Sequence, residues 1–162
     1  MNMACSSRYW LFKTEPSCFS LDDLKMRPDM TEHWDGVRNY QARNFLRDEV
    51  KVGDRVLFYH SNIPEPAVVG IAAVVRAGYP DFTALNPESA HFDPKSSLGN
   101  PIWYMVDVRY VQAFEHPVTL ESIKRNPLLA NMPLVRRSRL SIQPVTPEEW
   151  RIILAMGKVT GG

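Results

Sequence analysis

The sequence predicts an α+β fold: a small, partly closed mixed or antiparallel β-barrel with short helices around it. Three observations lead there. The 162 residues suit one domain long enough to bury a core. β-Branched and aromatic runs fill the middle of the chain, at 55–61, 67–75 and 102–114, with short helical patterns around them. Strands and helices do not alternate regularly, so a doubly wound parallel sheet is not expected.

Each element has a local reason. RYWLFKT (8–14) is aromatic and short, which predicts a strand. Ser20 follows as a helix cap, with Asp23 three residues on, Leu21 and Leu24 on one face, and Pro28 keeping the helix short. Asp35-Gly36 is a turn signal and Asn39 a cap. Ala42, Phe45, Leu46 and Val50 then recur at helical spacing, which predicts a helix over Tyr40 to Glu49.

VGDRVLFYHS turns at Gly53-Asp54 into a strand over 55–61. Val56, Phe58 and His60 share one face, and Leu57, Tyr59 and Ser61 share the other. AVVGIAAVV (67–75) reads as a strand in which Gly70 marks a bulge or a close approach to the backbone. Residues 80–101 hold Pro80, Pro87, Pro94 and Pro101; a connection beyond about 12 to 15 residues is often a functional loop.

IWYMVDVRYVQAF (102–114) has period two. Ile102, Tyr104, Val106, Val108 and Tyr110 form the expected core face, and Asp107 and Arg109 on the other face are placed to pair. TLESIKRN (119–126) has Thr119 as cap with Leu120 and Ile123 inward. In TPEEWRIILAM (146–156), Thr146 caps, Pro147 takes the first helical position and Glu149 completes a capping box.

Composition narrows the function classes. Hydrophobic residues make up 44% and charged residues 23%, an ordinary globular mixture. A net charge of +1 excludes the broad basic surface that grips long DNA non-specifically, so a nucleic-acid contact needs a local basic patch. Cys5 and Cys18 have no CxxC spacing and read as ordinary thiols of a reducing compartment. The start shows no signal or transit pattern, and no run approaches the roughly 18 apolar residues of a membrane span. A cytoplasmic protein, monomeric and without membrane contact, is expected.

Four scattered histidines, His33, His60, His91 and His116, give no metal motif. No glycine-rich phosphate loop and no GxSxG occur, so neither cofactor nor metal is expected. In FKTEPS, Lys13 and Glu15 could serve as acid and base if buried, with Thr14 as nucleophile. The plainer reading is an exposed strand end.

WDGVRNYQARNFLR (34–47) carries more than a helix needs. Trp34 and Tyr40 could stack on a base, Asn39 or Gln41 could read an amide-like edge, and Arg38, Arg43 and Arg47 could hold phosphates. Equally, Asn39 could be only a cap, Trp34 core and the arginines solvated. Two clusters tilt the balance toward a pocket: FYHS (58–61), and RRSRLSIQP (136–144) with Arg136, Arg137 and Arg139 ahead of Ser141 and Gln143.

With these residues in view, the chain resembles the EVE domain family. YWLFKTEPS, WDGVRNYQARNFLR, VGDRVLFYHS, VVGIAAVV, PIWYMVDV and RLSIQPVTPEEW stand in its order and spacing, from about Tyr9 to Met156. The resemblance implies a single domain over 1–162 with a PUA-like fold, a strongly bent mixed β-barrel with short helices over its openings. It is similar to YTH and ASCH domains and implies a non-enzymatic reader of a modified base, cytosine or adenine, flipped from DNA or RNA.

The implied base pocket draws on Trp34, Val37, Arg38, Asn39, Tyr40, His60, Ser61 and Trp103. Lys13, Arg43, Arg136, Arg137 and Arg139 are the expected phosphate contacts, and the loop with Ser141 and Gln143 lines the pocket. The alternative is a hydrolase of a modified base or nucleoside acting through Lys13, Thr14 and Glu15.

Overall fold

The computed structural model describes residues 7–137 and 139–159. Cys5 lies outside them, while Cys18 is exposed with a free thiol. The strands are β1 (Tyr9–Thr14), β2 (Thr31–His33), β3 (Arg55–His60), β4 (Ala67–Pro80), β5 (Tyr104–Thr119) and β6 (Ile142–Val145). The helices are α1 (Leu21–Lys25), α2 (Tyr40–Asn44), α3 (Leu120–Arg125), α4 (Pro133–Arg136) and α5 (Pro147–Met156). The six strands form one sheet in the order β2-β5-β4-β3-β1-β6, in which only β1 and β3 pair in parallel.

The sheet is not closed: β2 and β6 share no ladder among the described residues. The architecture is therefore a mixed α+β sheet with short helices, rather than the closed ladder that a barrel requires.

Caps act where the sequence put them. Ser20 and Thr146 form capping boxes with Asp23 and Glu149, Asn39 accepts from the Ala42 N–H, and Thr119 accepts from the Ser122 N–H. Such caps contribute about 1 kcal/mol each. The predicted 40–49 helix is α2 followed by a π-helical turn over Phe45–Glu49.

Alternation on β1 and β3 divides the core in two. Trp10, Phe12, Val56 and Phe58 pack with Leu24, Trp34, Leu46 and Val108, whereas Leu11, Leu57 and Tyr59 pack with Ile71, Ile123, Trp150 and Ile153. Gly70 sits at register shifts against both neighbouring strands, and a Cβ there would run into the Leu21 side chain and the Gln112 carbonyl. Both expectations for this glycine hold.

Three differences stand out. β4 runs past its apolar stretch to Pro80, because Tyr79 donates to Asp107 on β5 at 2.5 Å and Arg76 lies over the Tyr79 ring. Arg109 accordingly pairs with Asp29 at 3.6 Å, not with Asp107. Met105 and Trp103 are buried although they stand on the face opposite the expected core. Among the described residues no helix is long and apolar enough to cross a membrane.

Candidate functional site

A cavity of about 440 Å³ opens at the carboxyl end of β1. Lys13 and Thr14 form one wall, the segment 34–39 another, and Arg27, Glu32 and His33 of the α1–β2 region a third. His91 closes it from the long loop and Ser141 from the approach to β6. Trp34 lines it while standing in the core, its ring 5.3 Å from both Phe12 and Phe58. Phe19 meets its ring edge-on as well, so the side chain belongs to the core and to the cavity lining at once.

The segment 34–39 is pinned from behind. The Trp34 N–H donates to the Val106 carbonyl at 2.7 Å, tying the segment to β5. Gly36 adopts φ +79°, which favours glycine, and a Cβ there would stand 2.7 Å from the His91 ring, so the ring packs against the bare backbone. The side chain of Asp81, fully buried, accepts from the Gly36 N–H at 2.9 Å, from Arg38 at 3.1 Å, and from the Thr83 N–H and hydroxyl.

Burial pushes the Asp81 carboxyl up, but the Thr83, Gly36 and Arg38 hydrogen bonds and the Arg38 charge outweigh it and hold it below its ordinary value. Arg38 also donates to the His91 carbonyl at 2.6 Å and lies over the Trp103 ring. Trp103 in turn donates to Asp93 at 2.6 Å; that bond, then one from the Lys95 N–H, keeps the Asp93 carboxyl low. The long loop is thus a brace for one wall of the cavity.

Beside this cavity, Arg136, Arg137 and Arg139 with Gln41, Leu140 and Asn39 form a basic cup of about 330 Å³. Arg137 donates to Gln41 at 3.2 Å, and Arg136 is tied to the Ala130 carbonyl and Asn131.

A family model, the EVE domain, matches residues 8–156. The chain belongs to the EVE domain family. Thymocyte nuclear protein 1 of Gallus gallus is 44% identical over 165 positions, covering 91% of this chain and 68% of the relative. A hypothetical protein from Leishmania major superposes with a TM-score of 0.91 at 48% identity, covering 96% of this chain and 98% of that one. Human THYN1 protein, in a crystal structure with 5-methylcytosine-containing DNA, superposes with a TM-score of 0.90 at 42% identity, over 94% of this chain and 98% of that one.

In this EVE domain the residues singled out from the sequence divide. Trp34, Val37, Arg38, Asn39, Lys13 and Ser141 line the first cavity. Tyr40 and Trp103 lie outside its wall, their rings tilted against each other at 4.9 Å, with Arg43 over Tyr40 and bonded to the Ile102 carbonyl. Trp103 therefore supports Arg38 from behind.

His60 also stands outside the lining of the first cavity: its Nε2 accepts from the Leu21 N–H at 3.1 Å, which ties α1 to β3. Burial lowers its pKa, with Asp22 and Asp23 opposing, so the neutral imidazole that this bond needs is favoured. Ser61, on the opposite face of the strand, lines a second cavity of about 360 Å³. Gln143 is fully buried, its amide donating to the Leu140 carbonyl and its Oε1 without a hydrogen-bond partner, so it lines none of these cavities. Arg47 is taken up by its neighbour Asp48.

Lys13 is half-buried, and burial lowers its pKa. The Thr14 hydroxyl donates to the Phe19 carbonyl at 2.9 Å, which directs its proton away from any base; Glu15 lines the second cavity. Among the described residues no group of three His, Cys, Asp or Glu side chains could hold a metal ion.

Sequence reading missed Arg27, Glu32, His33, Asp35 and His91 on the cavity wall. The length of the 80–101 loop was the one signal for His91. Nothing local marks β2, whose three residues become a strand only by pairing with β5.

Proposed function

We propose that this EVE domain is a non-enzymatic module that reads a modified nucleobase, cytosine or adenine, flipped from DNA or RNA into the first cavity. The observation that carries the reading is the makeup of that cavity: an aromatic and apolar wall beside pinned polar groups, with cations at its edges. The DNA bound to the human relative, which contains 5-methylcytosine, supports it at 42% identity across nearly the whole chain.

A base inside a duplex cannot reach a recessed cavity, so extrusion is part of the reading. Trp34 offers the base a ring face, and Val37 an apolar contact for an added methyl group. Glu32 and Asp35 on the wall can accept from an exocyclic amine, the donor that both cytosine and adenine present. Asn39 lines the wall with its Oδ1 capping α2, which leaves its amide N–H groups for the ligand. Lys13, Arg136, Arg137 and Arg139 meet the phosphates. In this reading the sheet is part of a strongly bent PUA-like barrel, and the module acts as a cytoplasmic monomer.

Titration with single-stranded and duplex oligonucleotides tests it. Each is made unmodified, with 5-methylcytosine, with 5-hydroxymethylcytosine and with N6-methyladenine, in DNA and RNA forms, at low salt. Tighter binding of one modified form is expected. Equal binding of all forms, or none, overturns the reading; release of free base would favour a hydrolase.

A further inference from the structure

The three cavities stand in a row. The basic cup shares Asn39 with the first cavity, and the first shares Lys13, Thr14 and Ser141 with the second. The segment from Arg136 to Ser141 borders all of them. An internal nucleotide carries a phosphodiester on each side, so a base drawn into the middle cavity sends one phosphate toward each neighbouring cavity. Cations line both neighbours of the middle cavity: Arg137 and Arg139 in the basic cup, and Lys13 where the second cavity adjoins the first.

We propose that the second cavity holds the nucleotide adjoining the read base, with the phosphate between the two at Lys13 and Ser141. This deepens the base-reading function above and rests on it. The lining has the matching chemistry. Pro66 and Leu120 give an apolar wall for a sugar or base face, and the Ser61 and Ser141 hydroxyls can donate or accept.

Tyr59 also lines this cavity. Burial pushes its hydroxyl up to about 12, so it remains a donor at neutral pH. Glu15 in the same lining repels a phosphate while Lys13 attracts one, so the phosphate belongs at Lys13 and Ser141 and the uncharged sugar and base against Pro66 and Leu120. The domain would then recognise a two-nucleotide step, with the modified base on one defined side.

The test uses trinucleotides carrying the preferred modified base, from the same set of 5-methylcytosine, 5-hydroxymethylcytosine and N6-methyladenine, at the first, middle or last position. Binding is measured by fluorescence displacement with the full chain and with two variants, Leu120→Glu and Pro66→Glu. Each variant sets a carboxylate in the second cavity from a different element, and thermal melts by circular dichroism verify the fold. A neighbour on one side of the modified base should raise affinity about tenfold, as one added phosphate contact with its nucleotide can.

Both variants should abolish that gain and keep the preference for modified over unmodified base. If position in the trinucleotide makes no difference, or both folded variants bind as the parent does, the two-nucleotide proposal falls and base reading stands. If the parent shows no preference for a modified base at any position, base reading falls, and this proposal with it.

Discussion

The braced wall at 34–39 and the basic segment at 136–141 border the same cavities but are held in opposite ways. Behind the first lies a fully buried carboxylate with four donors, a glycine in the left-handed region packed against the His91 ring, and an aromatic core around Trp34. Behind the second stand exposed arginines with one side-chain partner apiece for Arg136 and Arg137. Pinned groups discriminate between ligands because they cannot rearrange for the wrong one. Exposed cations attract any phosphate and release counterions in doing so. Discrimination should therefore fail with the first region, and affinity with the second.

The largest effect belongs to Trp34. Trp34→Ala should cost about 3 to 5 kcal/mol, read as a fall in melting temperature, and should abolish binding of the modified base. Trp34→Phe, which keeps a ring against Phe12 and Phe58, should recover most of the stability. Retained preference in Trp34→Ala would remove this ring from the reading.

Asp81→Ala comes next. It leaves Arg38 without its buried partner and the Gly36 N–H without an acceptor, at about 3 kcal/mol. That is a drop of roughly 6 to 12 °C in a chain of this size. Although Asp81 lines none of the three cavities, preference among bases should narrow, because the wall it holds loosens.

Arg137→Ala with Arg139→Ala should leave the melting temperature unchanged and weaken modified and unmodified oligonucleotides equally. The dependence of log affinity on log salt should fall by about 0.7 to 0.9 per phosphate contact removed. If instead this pair of changes erased base preference while Asp81→Ala kept it, the roles of the two regions would be exchanged.

The smallest effect is the pH dependence at His60. Its folded pKa lies below the ordinary value of about 6.5, so the unfolded chain takes up the proton first as pH falls. Stability from this group is complete above about pH 6.5 and declines as pH drops toward the folded value. Melts between pH 7.5 and 5 should show the decline, and His60→Gln should flatten it. Base preference at pH 7.5 should survive that substitution; its loss would return His60 to the pocket.

Most of the fold was legible because its signals are local. A cap, a proline or an alternating run acts within a few residues, and Ser20, Asn39, Thr119 and Thr146 each cap as their neighbours dictate. The site was legible in half: 34–39 stood out by composition, and so did the arginines. The division of His60 from Ser61 was visible as alternation on one strand, but what covers each face was not.

The sequence by itself determined the strands β1, β3, β4 and β5, where α1, α2, α3 and α5 begin, and that one short segment holds more polar and aromatic groups than folding uses. Tertiary structure alone decided that Asp81 sits behind Gly36 and Arg38, that β2 joins β5, that Trp103 supports a wall it does not line, and that Lys13 divides two cavities. The reason is distance along the chain. These contacts join residues tens of positions apart, and nothing in the local pattern of either partner specifies the other.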